Sequence, residues 1–321
     1  MEQNVLGLPA GFRDLMFEEA EARRRIENEF ALVLGGSGYR EIIPSGVEYL
    51  EVYARGKQGV HDRAIRFLDR DDNLLALRAD FTPAIARIVA ARLREVAPPL
   101  RLWYSGPVFR KTDRHRGRYQ EFAQIGAELL GDPSAEADGE ILDIALRCLE
   151  RCALKDVRVH INHAGIFRGI VNSLGLLAEP LAEIRSAIDR KDMRALEMRL
   201  EELGVDGSSR AEVHALSRCV GDSQALATAS GAITNDESRA AIDELSALSR
   251  RLGRWQERVV FDLAEIDEME YYTGIMFTFL SSSHPGELGR GGRYDGLIKE
   301  FGADMPAIGF SFSVDDLRGS M

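Results

Sequence analysis

Apolar residues recur at three- and four-residue spacing among charges over 14–35, at Leu15, Ala22, Ile26, Phe30 and Val33, which predicts an amphipathic helix. Asp14 stands where its cap belongs, and Gly35-Gly36-Ser37-Gly38 ends it. A short strand is predicted over 39–43, stopped by Pro44, and a hairpin over 64–69 and 74–78 across Arg70-Asp71-Asp72-Asn73. The next helix starts at Thr82-Pro83, where proline suits the first turn, and runs through Ile85, Ile88, Val89 and Leu93 to Pro98-Pro99. Residues 100–131 read as two alternating strands around a polar, basic loop, 111–118. A helix over 138–152 and a period-two strand at Val157, Val159 and Ile161 follow. Only helical periodicity is seen from 165 to 255, as at Met193, Leu196, Leu200 and Leu203 before Gly204, and at Ile242, Leu245, Leu248 and Leu252. Strands return over 259–263, 271–280 and 307–312, and Gly289-Arg290-Gly291-Gly292 reads as a turn before a short helical segment.

No regular crossover helices join these strands, which predicts an α+β fold with an antiparallel sheet flanked by helices. The block 165–255 then reads as a helical insertion between sheet parts 1–164 and 256–321 of one core. The 321 residues suit one large or two medium domains, and 45% hydrophobic with 29% charged residues suits a globular core. No run approaches the roughly 18 apolar residues of a membrane span, and the first residues lack a secretory leader. Cys148, Cys152 and Cys219 are too few for a disulfide scaffold. The first two fit core thiols of one helix better than a metal pair, which would need two more ligands. No metal or cofactor is expected, and reduced thiols fit a cytoplasmic protein. The net charge of −11 argues against a broad nucleic-acid footprint.

Candidate chemistry sits in a few segments. Asp80 and Thr82, two apart, could jointly hold an ammonium, although an Asp before a helix is more often a cap. Arg110 precedes the basic loop residues Lys111, Arg114, His115, Arg116 and Arg118. Gln124, Gly126 and Glu128 alternate on the returning strand, where such a face is normally solvated but lines a pocket if covered. Tyr271-Tyr272 suits core packing or a phenol that reads a ring nitrogen. The stretch 289–297 could cradle a phosphate only if a helix N-terminus follows it.

Taken in order, these segments carry a resemblance. The helix and strand ending at Pro44, the run GRY…F…QIGAE…G within 109–131, the strings YYTG and GGRYDGL, and the strand–helix 307–317 resemble the catalytic domain of class II histidyl-tRNA synthetases along nearly the whole chain. The resemblance implies a class II synthetase-like sheet and a homodimer formed through residues 30–52. It also implies a histidine pocket: Asp80, Thr82 and Gln124 on the α-amino group, Glu128 and Tyr272 on the imidazole, Arg110 on the carboxylate, and Tyr271 and Tyr294 as walls.

The departures decide the function. Against the synthetase pattern of ATP-binding residues, Thr112 replaces a Glu, while Asp113, Asp267 and Asp316 replace basic residues. A unit charge pair at 4 Å interacts by about 4 kcal/mol at an effective dielectric near 20, so each reversal turns attraction for a phosphate into repulsion of that scale. The chain also ends four residues after Leu317, where a synthetase continues into an anticodon-binding domain, so tRNA is not an expected partner. Synthetase paralogues of this description are regulatory subunits of ATP phosphoribosyltransferase. The resemblance thus implies a non-catalytic partner of the short-form catalytic subunit, required for the first step of histidine biosynthesis and mediating histidine feedback. A truncated histidyl-tRNA synthetase, or a synthetase-like regulator of another partner, are the alternatives.

Overall fold

A computed structural model describes residues 6–55, 58–112, 119–176, 178–264 and 272–320. Its strands are β1 (Arg40–Glu41), β2 (Val47–Tyr49), β3 (Arg66–Leu68), β4 (Leu74–Leu77), β5 (Leu100–Phe109), β6 (Glu121–Leu130), β7 (Arg158–His163), β8 (Val220–Gly221), β9 (Val259–Asp262), β10 (Ile275–Leu280), β11 (Glu287–Arg293) and β12 (Ala307–Ser313). Among the described residues they form a nine-stranded sheet, β1-β5-β6-β12-β11-β10-β7-β9-β8, and a three-stranded sheet, β2-β4-β3.

The large sheet is mixed rather than wholly antiparallel. β1 runs parallel to β5 and β7 parallel to β9. The second pair is possible because a run of helices, from Ala164–Leu174 to Asp236–Arg251, carries the chain from the end of β7 back to the start of its neighbour. That run also holds β8, whose two residues are too few to show alternation; it pairs antiparallel with β9.

Two local expectations are corrected. The first helix is Glu18–Gly36, so Asp14 does not cap it; Phe17 (φ 49°) precedes it without a side-chain cap, and Glu18, Glu19 and Glu21 place negative charge on its first turn. The glycine-rich stretch 289–292 is not a turn but lies within β11, between β10 and β12. Glycine reads as punctuation in a sequence, yet here it admits neighbours. A Cβ on Gly289 would lie 2.4 Å from the Phe312 ring, and one on Gly291 2.4 Å from the Phe277 ring. A single 3₁₀ turn, Ile298–Phe301, follows, so no helix N-terminus is offered to a phosphate.

Both faces of the sheet are covered. Ala123, Ile125, Ala127 and Leu129 of β6 pack with Phe30 and with Ile141 and Cys148 of the helix Ala135–Arg151, which Ser134 caps. The other side carries a smaller cluster of Phe81, Ile85, Tyr104, Tyr272 and Tyr294. All three cysteines are buried and free. Burial holds the Cys148 thiol well above its ordinary value and pushes Cys219 up to about 11. Since the thiolate is the reactive form, the native protein is expected to be inert to a thiol reagent such as a disulfide dye, and to react fully once denatured. Among the described residues no cluster of His, Cys, Asp or Glu could hold a metal, and no helix is long and apolar enough to cross a membrane.

Candidate functional site

A cleft of about 700 Å³ opens on the face of the sheet opposite the helix Ala135–Arg151. The alternation on β6 aims Gln124 and Glu128 into it. This face is not solvated: Glu128 is 1% and Gln124 5% exposed. The cover comes from the helix Thr82–Ile88 and from Tyr272 and Tyr294.

Glu128 is the hub. One carboxylate oxygen accepts from the Thr82 hydroxyl at 2.8 Å, and the other accepts from the Tyr294 phenol. Gly309 stands opposite it on β12, and a Cβ there would fall 1.7 Å from the carboxylate. The absent side chain is what gives Glu128 its slot.

Asp80 stands both beside the start of the helix, where Phe81 holds the cap position, and on the cleft. Its carboxylate accepts the Thr82 N–H at 3.3 Å, at the start of the helix, and it lines the cleft 3.5 Å from the Arg110 guanidinium. Arg110 also donates to the Ala79 carbonyl at 2.6 Å and lies 5.3 Å from the Phe122 ring centroid. Gln124 has a buried Oε1 without a hydrogen-bond partner among the described residues. A buried acceptor left open in this way invites a donor.

The remaining walls are rich in ion pairs. Arg13 pairs with Asp315, whose other oxygen accepts the Ala123 N–H at 3.1 Å, and stacks 4.1 Å over the Tyr119 ring. Arg290 pairs with Glu287, and His284 Nε2 lies 3.4 Å from Asp316. Thr112 lines the same cleft. The structure thus brings together Asp80, Thr82, Arg110, Gln124, Glu128, Tyr272 and Tyr294, with Thr112 and Asp316. Asp113, Asp267, Tyr271 and the loop residues Arg114, His115, Arg116 and Arg118 lie outside the described residues.

Sequence reasoning missed Arg13, Phe122, His284, Glu287 and Arg290. Glu287 and Arg290 were legible only once 287–293 is known to be a strand. Arg13 and His284 sit in no periodic pattern.

The family model for histidyl-tRNA synthetase matches residues 11–317. The chain is 36% identical to the ATP phosphoribosyltransferase regulatory subunit of Syntrophotalea carbinolica, over 97% of this chain and 73% of that protein. Its identity to the subunit of the same name from Moorella thermoacetica is 34%, over 97% and 81%. Among solved structures, an ATP phosphoribosyltransferase regulatory subunit/histidyl-tRNA synthetase from Bacillus halodurans superposes with a TM-score of 0.92 at 28% identity, covering 100% of this chain and 84% of that one. Histidyl-tRNA synthetase from a Nostoc species shares the fold, with a TM-score of 0.81 at 22% identity over 97% and 74%. The chain therefore belongs to the histidyl-tRNA synthetase family, among the regulatory subunits of ATP phosphoribosyltransferase.

Proposed function

We propose that this regulatory subunit binds free histidine in the Glu128 pocket and passes that occupancy to a short-form ATP phosphoribosyltransferase catalytic subunit, without forming histidyl-adenylate or charging tRNA. The observation that carries the reading is the buried Glu128 carboxylate, aimed into a cleft beside an unpartnered Gln124 Oε1. An imidazole N–H pairs with the first, and an α-ammonium with the second and with Asp80. Thr82 spends its proton on Glu128 and keeps its lone pairs for the ammonium. Arg110 receives the carboxylate, Tyr272 the second ring nitrogen, and Tyr271 and Tyr294 wall the ring.

The nucleotide side supports the loss of catalysis. A triphosphate entering as in the synthetases would meet Asp315 and Asp316 on the cleft wall, already engaged by Arg13 and His284. Displacing those partners exposes carboxylates to phosphate, and the sequence carries Asp113 and Asp267 at two further positions that are basic in the synthetase pattern. Histidine then acts only through unequal affinity for two states of the complex, a coupling typically of about 1–3 kcal/mol. For the homodimer, Tyr49, Leu75 and Phe67 stand side by side across β2-β4-β3, with Tyr49 and Phe67 exposed. Such an apolar face suits a second copy.

Calorimetric titration of the chain with histidine, then with ATP, tests the reading, together with histidine-dependent ATP–pyrophosphate exchange. Histidine is expected to bind and exchange to be absent. Exchange by pure protein refutes the non-catalytic reading, and absence of histidine binding refutes the sensor.

A further inference from the structure

Arg293, the last residue of β11, is 7% exposed and does not line the cleft. Its guanidinium spends all five N–H donors inside the protein. Nε and Nη2 donate to Asp138 at 2.9 and 2.6 Å, and Nη2 also reaches the Ser134 carbonyl at 3.3 Å. Nη1 donates to the Asp132 carbonyl at 3.1 Å and to Asp295 at 3.3 Å. The fork thereby ties the end of β11 to the turn before the helix Ala135–Arg151 and to that helix's first turn.

The backbone of the same residue faces the other way in function. The Arg293 carbonyl accepts the Thr273 N–H at 2.8 Å, directly after Tyr272. The Thr273 hydroxyl in turn accepts the Asp295 N–H at 3.0 Å, and Asp295 accepts the Ala307 N–H at 2.9 Å. Between them, the Tyr294 N–H donates to the Ala307 carbonyl at 2.7 Å. Gly274 packs against the aliphatic stem of Arg293, where a Cβ would lie 3.0 Å from its Cδ. Tyr272 and Tyr294 of the cleft therefore both hang on the segment that Arg293 fixes.

We propose that Arg293, through its five-donor clamp on Asp138 and the 132–134 turn, is the positioning residue that sets Tyr272 and Tyr294 for ligand recognition. The inference rests on the histidine-pocket reading. A site of this kind tolerates only about 0.5 Å of displacement in its contact groups. Lysine keeps the charge but offers three donors from a single point and cannot reproduce the fork.

The test compares full-length wild type, Arg293→Lys, Asp138→Asn and Leu200→Ala by histidine calorimetry well below each thermal midpoint. Leu200 is fully buried in the helix Met193–Glu202 and does not line the cleft, so its truncation lowers the midpoint without touching the site. The two clamp variants are expected to lose about tenfold or more in affinity, the size of one displaced hydrogen bond to a charged group. Leu200→Ala is expected to keep wild-type affinity. Wild-type affinity in both clamp variants overturns the positioning role and leaves Arg293 a fold clamp. An equal affinity loss in Leu200→Ala overturns it too, since destabilisation alone then suffices. If wild type itself does not bind histidine, the pocket reading has failed, and the inference falls with it.

Discussion

Glu128→Gln is expected to raise the histidine dissociation constant by about 10- to 150-fold, because hydrogen bonds to a charged group contribute roughly 1.5–3 kcal/mol. The amide keeps the size of the carboxylate but removes the charge that an imidazole N–H would meet. Stability should fall by less. The amide offers one acceptor where the carboxylate offers two, so Thr82 or Tyr294 loses its partner, but an amide at 1% exposure is cheaper to bury than a charged carboxylate. A thermal midpoint little changed, with binding lost, is the signature of a group kept for recognition. In the assembled complex, feedback inhibition should weaken by the same factor as binding. Inhibition that survives the loss of binding would place the sensing site elsewhere, on the partner or at the interface.

Gly309→Ala is the harsher change. Its Cβ would sit 1.7 Å from the Glu128 carboxylate and 2.6 Å from the Ala127 carbonyl oxygen. The first clash moves the carboxylate off Thr82 and Tyr294, and the second strains the β6–β12 ladder, which cannot yield by a rotamer change. Overpacking of this kind costs about 1–3 kcal/mol or more. The expected result is a lower thermal midpoint together with loss of histidine binding. A midpoint and affinity both equal to wild type would mean that Glu128 does not occupy its slot in solution.

Much of this arrangement was legible in the sequence, and the unread part has physical reasons. The alternation of Gln124, Gly126 and Glu128 announced a shared face, but nothing local says whether that face is wet. Its cover includes Tyr294, 166 residues away. The glycines of β11 misled for the complementary reason: their meaning lies in the rings of Phe277 and Phe312 on neighbouring strands. Arg13 and Asp315 form a wall of the cleft from 302 residues apart, a separation no periodicity spans. The four-residue lag of the first helix shows that a capping residue states a possibility, while the packing of Ile26, Phe30 and Leu34 fixes the body of the helix.

The distance along the chain between Glu128 and Tyr294 also sets an order of events during synthesis. Thr82, Gln124 and Glu128 leave the ribosome long before Tyr294 and Gly309, so the strand that carries the carboxylate is made without its cover. Until β11 and β12 arrive, Glu128 stands in water at little cost, and the site does not exist. Closing so long a loop is paid for by the whole sheet, since its entropy grows only slowly with length. Ligand that binds the folded site can hold it by mass action, but it cannot guide a chain that still lacks β11 and β12; in this molecule, the capacity to bind appears only after those two strands are made.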